Sequence, residues 1–187
     1  MSTGQFSGNP RTEWLSDEGP DRAMRLVDTF SFTDARGRRW DVPAGVEVDG
    51  ATIPRTLWSS VGSPYTGNYR RAAILHDAAL LDPRIRRIDA DAMFYEACLA
   101  GGCPARQAKL LYAGVCIGSW VSQARPVEHA LAAQIPDAAR LPGEHSPLDL
   151  EIRAIYTLLA GELAATPDDF DSVRATVDLR LAGIKST

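Results

Sequence analysis

Apolar and polar residues alternate from Arg25 to Thr33 (Arg-Leu-Val-Asp-Thr-Phe-Ser-Phe-Thr), the period of a strand with one buried face. Asp34-Ala-Arg-Gly37 then reads as a turn and Arg39-Trp-Asp-Val42 as a return strand, so a hairpin is expected. Pro43-Ala-Gly45 breaks the pairing, and Val46-Glu-Val48 is a third short strand. Residues 1–24 are polar and rich in turn formers, which predicts an irregular segment that Trp14 and Leu15 could pin to the core. From Asp49 to Asn68 no period holds. Asp49-Gly-Ala-Thr-Ile-Pro-Arg55 is turn-like, Leu57-Trp58 dips toward the core, and Gly62 to Gly67 is loop chemistry.

Helical spacing takes over at residue 68. The first helix is predicted over 68–81, where Asp82-Pro83 ends it because proline disfavours helix in the residue before it. The second runs over 89–100, with Asp89 as N-cap and Gly101-Gly102 as stop. The third opens at Pro104 and ends near Trp120. Further helices are expected over 126–134, from the Ser146-Pro147 cap pair to about 165, and over 168–182, with 135–143 as linker. The fold class is therefore α+β: a small N-terminal antiparallel β-sheet packed on a mainly helical body, with a C-terminal helical extension. The expected domains are an irregular segment over 1–24, an α+β domain over 25–120 and a helical extension over 121–187.

With 187 residues the chain is long enough for a sizeable core. Its formal net charge is -4, which argues against a general nucleic-acid binder. The one basic cluster, Arg84, Arg86 and Arg87, is either a solvated turn or a contact for a phosphate or an acidic partner. Cys98 and Cys116 fall on apolar helical faces and read as buried thiols; with Cys103 they make an odd set without metal spacing. No charged segment followed by an apolar stretch opens the chain, and no apolar run is long enough to span a membrane. The expected location is the cytoplasm, with export by a specialised route left open.

Chemistry concentrates at His76-Asp77, inside the apolar run Tyr69 to Leu81 of a chain with only 3 histidines. On a helical wheel Tyr69, Ala72, Ala73, His76 and Leu80 share a face, and Asp77 lies about 100° away. In the next helix Asp91, Phe94, Tyr95 and Cys98 share a face, so a carboxylate heads an apolar stripe. The short connection folds the two helices into an antiparallel hairpin. His76 lies about 7.5 Å from the end of its helix and Asp91 about 3 Å into the next, a difference one side chain can span. Asp91 could then accept a hydrogen bond from His76 and set its tautomer, making His76 a general base for water. Asp77 would remain for a metal or a second hydrogen bond. The alternative is a buried His-Asp pair that ties two helices together. Upstream, Asp49 is either a turn former before Gly50 or a second carboxylate aimed at the site, and Thr52 and Arg55 would line it. Any metal at Asp77 and Asp49 would be a hard, oxygen-preferring one such as Ca2+ or Mg2+.

Val42-Pro-Ala-Gly45, Asp49-Gly-Ala-Thr-Ile-Pro-Arg55, Ala73-Ile-Leu-His-Asp77 and Ala90-Asp-Ala-Met-Phe94 together resemble the DUF1353 family of bacterial and tailed-phage proteins, over about residues 26–120. The resemblance implies the extent of the fold, the positions of the site and a phage or prophage association; it implies no reaction. The chain departs from the family pattern at two places. Thr52 stands where serine is usual and keeps the hydroxyl, while Ala78, Ala79 and Leu80 stand where an aromatic pair is usual. A second likeness, of geometry only, is to phospholipase A2, which also sets a His-Asp pair on one helix and a further Asp on an antiparallel one.

Two functions follow as expectations. The first is a phage-related hydrolase in which His76 is general base, Asp91 orients it, Asp77 binds a metal or water, and Asp49, Thr52 and Arg55 contact a small-molecule or polymer substrate. The second is a non-enzymatic assembly or toxin-associated protein, with a protein partner and a structural His-Asp network.

Overall fold

The alternation between Met24 and Thr33 is interrupted at Val27-Asp28-Thr29, where the chain bends and passes from one sheet to another. In this computed structural model, which describes residues 4–15, 23–50, 52–62, 67–134, 143 and 145–184, the single strand expected there is two. They are β3 (Met24–Leu26) and β4 (Phe30–Thr33). The period of two survives the bend, because Leu26 and Phe30 are both buried, but the pairing partners change. Periodicity reports which face is buried, not which strand lies alongside.

Residues 1–24 also differ from the irregular segment expected. They hold β1 (Gln5–Phe6) and β2 (Thr12–Trp14). Strands this short show no readable period and owe their form to their neighbours. With β5 (Arg39–Val42) and β6 (Glu47–Val48) they complete two antiparallel three-stranded sheets, ordered β1-β4-β5 and β2-β3-β6. Phe30 faces Val42 and Phe32 faces Trp40 across the β4–β5 hairpin, and Phe6 packs on Phe32 with ring centres 4.8 Å apart. Trp14 does not pin the segment to the core: it is 60% exposed.

The helices follow the predicted periodicity more closely. They are α1 (Trp58–Val61), α2 (Arg70–Leu81), α3 (Arg87–Ala100), α4 (Ala105–Ala124), α5 (Pro126–Gln134), α6 (Pro147–Ala165) and α7 (Phe170–Ile184). A 3-10 turn (Arg55–Leu57) precedes α1 in a stretch expected to be loop, and it buries Leu57. Asp82 leaves α2 in extended conformation, as the following proline requires. Helix α3 starts two residues before Asp89, with Arg86 at the N-cap position. Ser146 and Asp149 form a reciprocal capping box on α6.

The chain divides into two compact units. The first, residues 1–51 and 62–108, contains both sheets, α2 and α3. Its core joins Leu26, Phe30, Phe32 and Val42 with Tyr69, Leu75 and Phe94, each buried side chain contributing about 1.5–3 kcal/mol. The second, residues 52–61 and 109–187, contains the 3-10 turn, α1, most of α4, and α5 to α7. Leu57, Leu111, Ile117, Leu159, Leu163 and Val177 fill it. Lys109 is buried there and donates to the Leu163 carbonyl (3.4 Å) and the Thr166 carbonyl, at the C-terminal end of α6. Its charge also meets Asp168 at 2.6 Å.

Candidate functional site

Helix α2 buries Ala72, Ala73 and His76, with Tyr69 buried at its N-cap, and α3 buries Asp91, Phe94, Tyr95 and Cys98. These are the two faces that the 3.6-residue period sets against each other. The five-residue connection 82–86 brings them together. His76 Nε2 and Asp91 Oδ1 are 2.7 Å apart. His76 is 0% exposed, and its ring lies 5.1 Å from the Phe94 ring at 53°. Asp91 Oδ2 lies 3.8 Å from Arg87 Nε, an i,i+4 pair on α3. An acceptor carboxylate at Nε2 selects the tautomer with its proton on that nitrogen and the lone pair on Nδ1. Nδ1 is buried and has no hydrogen-bond partner among the described residues.

Asp77, one residue on, looks elsewhere. Its Oδ2 accepts the Gly50 N–H at 2.7 Å, tying α2 to the end of β6. Gly50 has φ +96°, a region that side chains avoid, so a glycine suits the bend that delivers its N–H. Asp49 beside it is exposed. Thr52 and Arg55 belong to the second unit. There Arg55 lies over the Trp58 ring, 4.9 Å from its centre, and the Trp58 indole N–H donates to the Ile53 carbonyl at 3.1 Å. The structure thus joins His76 to Asp91 and Asp77 to Gly50 within the first unit. Among the described residues no group of three or more His, Cys, Asp or Glu is placed to hold a metal ion.

The arginines of the connection are internally neutralised. Arg84 holds the Asp82 carboxyl down at about 2 through side-chain and backbone hydrogen bonds, and Arg86 pairs with Asp89 at 2.8 Å and lowers it also. All three cysteines are buried thiols outside any disulfide. Burial pushes the Cys98 thiol up, and contact with Cys98 holds Cys103 down.

Sequence reasoning missed two features. Arg87 was assigned only to a basic cluster, although its i,i+4 spacing to Asp91 was there to be read. Gly114 and Gly118, also four apart, mark the face of α4 that takes the Ile53 side chain and the Thr52 backbone. A Gly-x-x-x-Gly spacing inside an apolar helix was the available signal.

Residues 24–115 match the family described as protein of unknown function (DUF1353). The uncharacterized protein y4iH of Sinorhizobium fredii is 31% identical over 171 residues, which are 89% of this chain and 67% of that one. The chain belongs to the DUF1353 family. The DUF1353 match takes in β3 to β6, α2, α3 and the first half of α4, and so His76, Asp77 and Asp91 together. The uncharacterized protein y4jT of the same organism is 38% identical over 109 residues, 58% of this chain. The chain spans about a third of the length of y4jT, with 32% covered. No solved structure matches the chain.

Proposed function

We propose that this DUF1353 chain is a hydrolase in which His76 deprotonates water. The observation that carries this reading is the orphaned Nδ1 of a buried imidazole whose other nitrogen is held by Asp91. A buried polar atom left without a partner costs about 1–3 kcal/mol, so its persistence calls for a use. In the step proposed, a water molecule at Nδ1 gives its proton to the ring. Its oxygen attacks an electrophilic centre of the substrate, the bond from that centre to the leaving group breaks, and the imidazolium, steadied by Asp91 through the Nε2 proton, returns the Nδ1 proton to the leaving group. Arg87, with its Nε 3.8 Å from Asp91 Oδ2, helps to orient that carboxylate, and Asp77 holds the Gly50 turn within the same unit. The substrate is a small molecule or polymer rather than a nucleic acid, given the acidic chain. The phage association implied by the family resemblance belongs to this proposal.

A second reading is favoured by the complete burial of His76: a structural network in an assembly or interaction protein. The two separate on p-nitrophenyl ester, amide and phosphodiester substrates with wild type, His76→Ala and Asp91→Asn. The hydrolase reading expects turnover of one class, lost about a hundredfold or more in His76→Ala with the far-ultraviolet spectrum retained. No turnover of any class, or equal turnover by His76→Ala, sinks it. Unfolding by His76→Ala without activity in the wild type supports the structural network.

A further inference from the structure

Helix α3 ends on a turn that sets two cysteines side by side. Gly101 is its C-cap, Gly102 follows with φ +93°, and Cys103 comes next. The Gly102 N–H donates to the Leu99 carbonyl at 3.0 Å, and the Cys103 N–H to the Cys98 carbonyl at 3.0 Å. These two bonds make a Schellman motif, in which the side chains at the positions of Cys98 and Cys103 ordinarily pack as an apolar pair. Here both are thiols, and they are in hydrogen-bonding contact. With the Cys103 N–H on the Cys98 carbonyl, standard bond lengths hold the two Cα atoms within about 7 Å, a span that a disulfide can close.

The turn is also held from outside. Asn68 Nδ2 donates to the Gly102 carbonyl at 3.0 Å, and a Cβ on Gly101 would come within 2.5 Å of the Asn68 carbonyl oxygen. The approach to α2 therefore fixes the turn whatever the state of the thiols, and all of these residues belong to the first unit. The two cysteines differ in their surroundings. Cys98 is 0% exposed, and burial keeps its thiol protonated. Cys103 lies between the exposed Gly102 and Pro104, and its hydrogen bond with Cys98 pulls its thiol below the ordinary value. The thiolate is the attacking form, so Cys103 meets a reagent first and Cys98 resolves.

We propose that Cys98 and Cys103 are a site of reversible oxidation, closed to an intramolecular bridge by a small disulfide of the glutathione class and reopened by the matching thiol. Cys103 Sγ attacks one sulfur of the small disulfide, and the other half leaves as a thiol with the proton that Cys103 gives up. Cys98 Sγ then attacks Cys103 Sγ, and the second half leaves with the Cys98 proton. Two electrons pass from the cysteine pair to the small disulfide, which becomes two thiols. The site does not depend on the hydrolytic reading.

Peptide mapping of the native chain after incubation with oxidised glutathione tests this, with N-ethylmaleimide in denaturant as the quench. Trypsin releases residues 88–106 with both cysteines and leaves Cys116 on another peptide. In wild type the 88–106 peptide is expected to lose two hydrogens and take up no maleimide, and reduced glutathione should restore both thiols. In Cys98→Ser, Cys103 should accumulate the glutathione adduct, since nothing resolves it. In Cys103→Ser, the adduct at Cys98 should form at least about tenfold more slowly. Uptake of two maleimides by the wild-type peptide after oxidation overturns the proposal. So does a bridge that forms no faster than Cys116 is modified, because such chemistry comes through unfolding. The wild-type arm needs no substitution, so it decides the matter even where a variant fails to fold.

Discussion

Gly118→Ala is the most exacting test of the packing described. The added Cβ would fall on the Thr52 carbonyl oxygen, well inside contact distance, with Thr52 C at 3.0 Å and Pro54 Cδ at 3.4 Å. Two of these three atoms are backbone, so no rotamer change can clear them. The Ile53 carbonyl next door is held by the Trp58 indole, and Leu57 is buried just beyond, so the segment is anchored against a shift. Alanine in place of a helix-interior glycine gains about 1 kcal/mol in helix propensity. Overpacking of this kind costs about 1–3 kcal/mol and sometimes more, and a rigid backbone neighbour puts this case at the upper end. The expected net loss is about 2 kcal/mol, which lowers a urea midpoint by about 1 M for an m-value near 2 kcal/mol/M. Gly114→Ala is the internal control. The three atoms nearest its Cβ would all belong to the Ile53 side chain, at 3.2–3.5 Å, rather than to backbone. That variant should fall between neutral and about 1 kcal/mol more stable. A Gly118→Ala midpoint equal to or above wild type, with m unchanged, would show that α4 does not hold Thr52 as described.

Lys109→Met should destabilise by about 2–3 kcal/mol in thermal unfolding, because it strands the Leu163 and Thr166 carbonyls that Lys109 satisfies; a melting curve like wild type contradicts this. Ser146→Ala should cost about 1 kcal/mol in thermal unfolding by removing the acceptor for the Asp149 N–H at 3.1 Å and the hydroxyl donor to its carboxylate, while Ser146→Thr, which keeps both, should restore most of it. Burial raises the Glu96 carboxyl, outweighing the Ala35 N–H that donates to it. The folded chain therefore holds a proton that the unfolded chain releases. The stability it contributes is full below the ordinary carboxylate range and is lost as pH rises through the raised value. Glu96→Gln keeps an acceptor and removes the titration, so its urea midpoint should gain on wild type between pH 4 and pH 8; a gap that stays constant refutes this.

The legible parts were those written in long periods. The face of α2 carrying Ala72, Ala73 and His76, and the face of α3 carrying Asp91 and Phe94, repeat over three turns, so burial followed the spacing. Asp91 was identified as a partner for His76 because a charged residue in an apolar stripe has few other uses. The α+β class was readable for the same reason, since strand and helix periods occupy separate stretches. The pairing of short strands was not. Gln5–Phe6 gains its form from β4, and the broken alternation at Val27-Asp28-Thr29 does not say that the chain changes sheet there. The direction of Asp77 was also hidden: its partner is the Gly50 amide, 27 residues upstream, and a backbone N–H carries no residue-type signal.

Adjacent residues of α2 serve different neighbours, His76 reaching across to α3 and Asp77 back to Gly50. Each residue step turns the helix by about 100°, so gaining or losing one residue within α2 would send both side chains to the wrong address. Descendants of this chain can therefore exchange letters in α2 far more freely than they can change its length. Insertions and deletions should collect instead in the exposed stretch after Leu81, where the Arg84–Asp82 pair travels with its own turn.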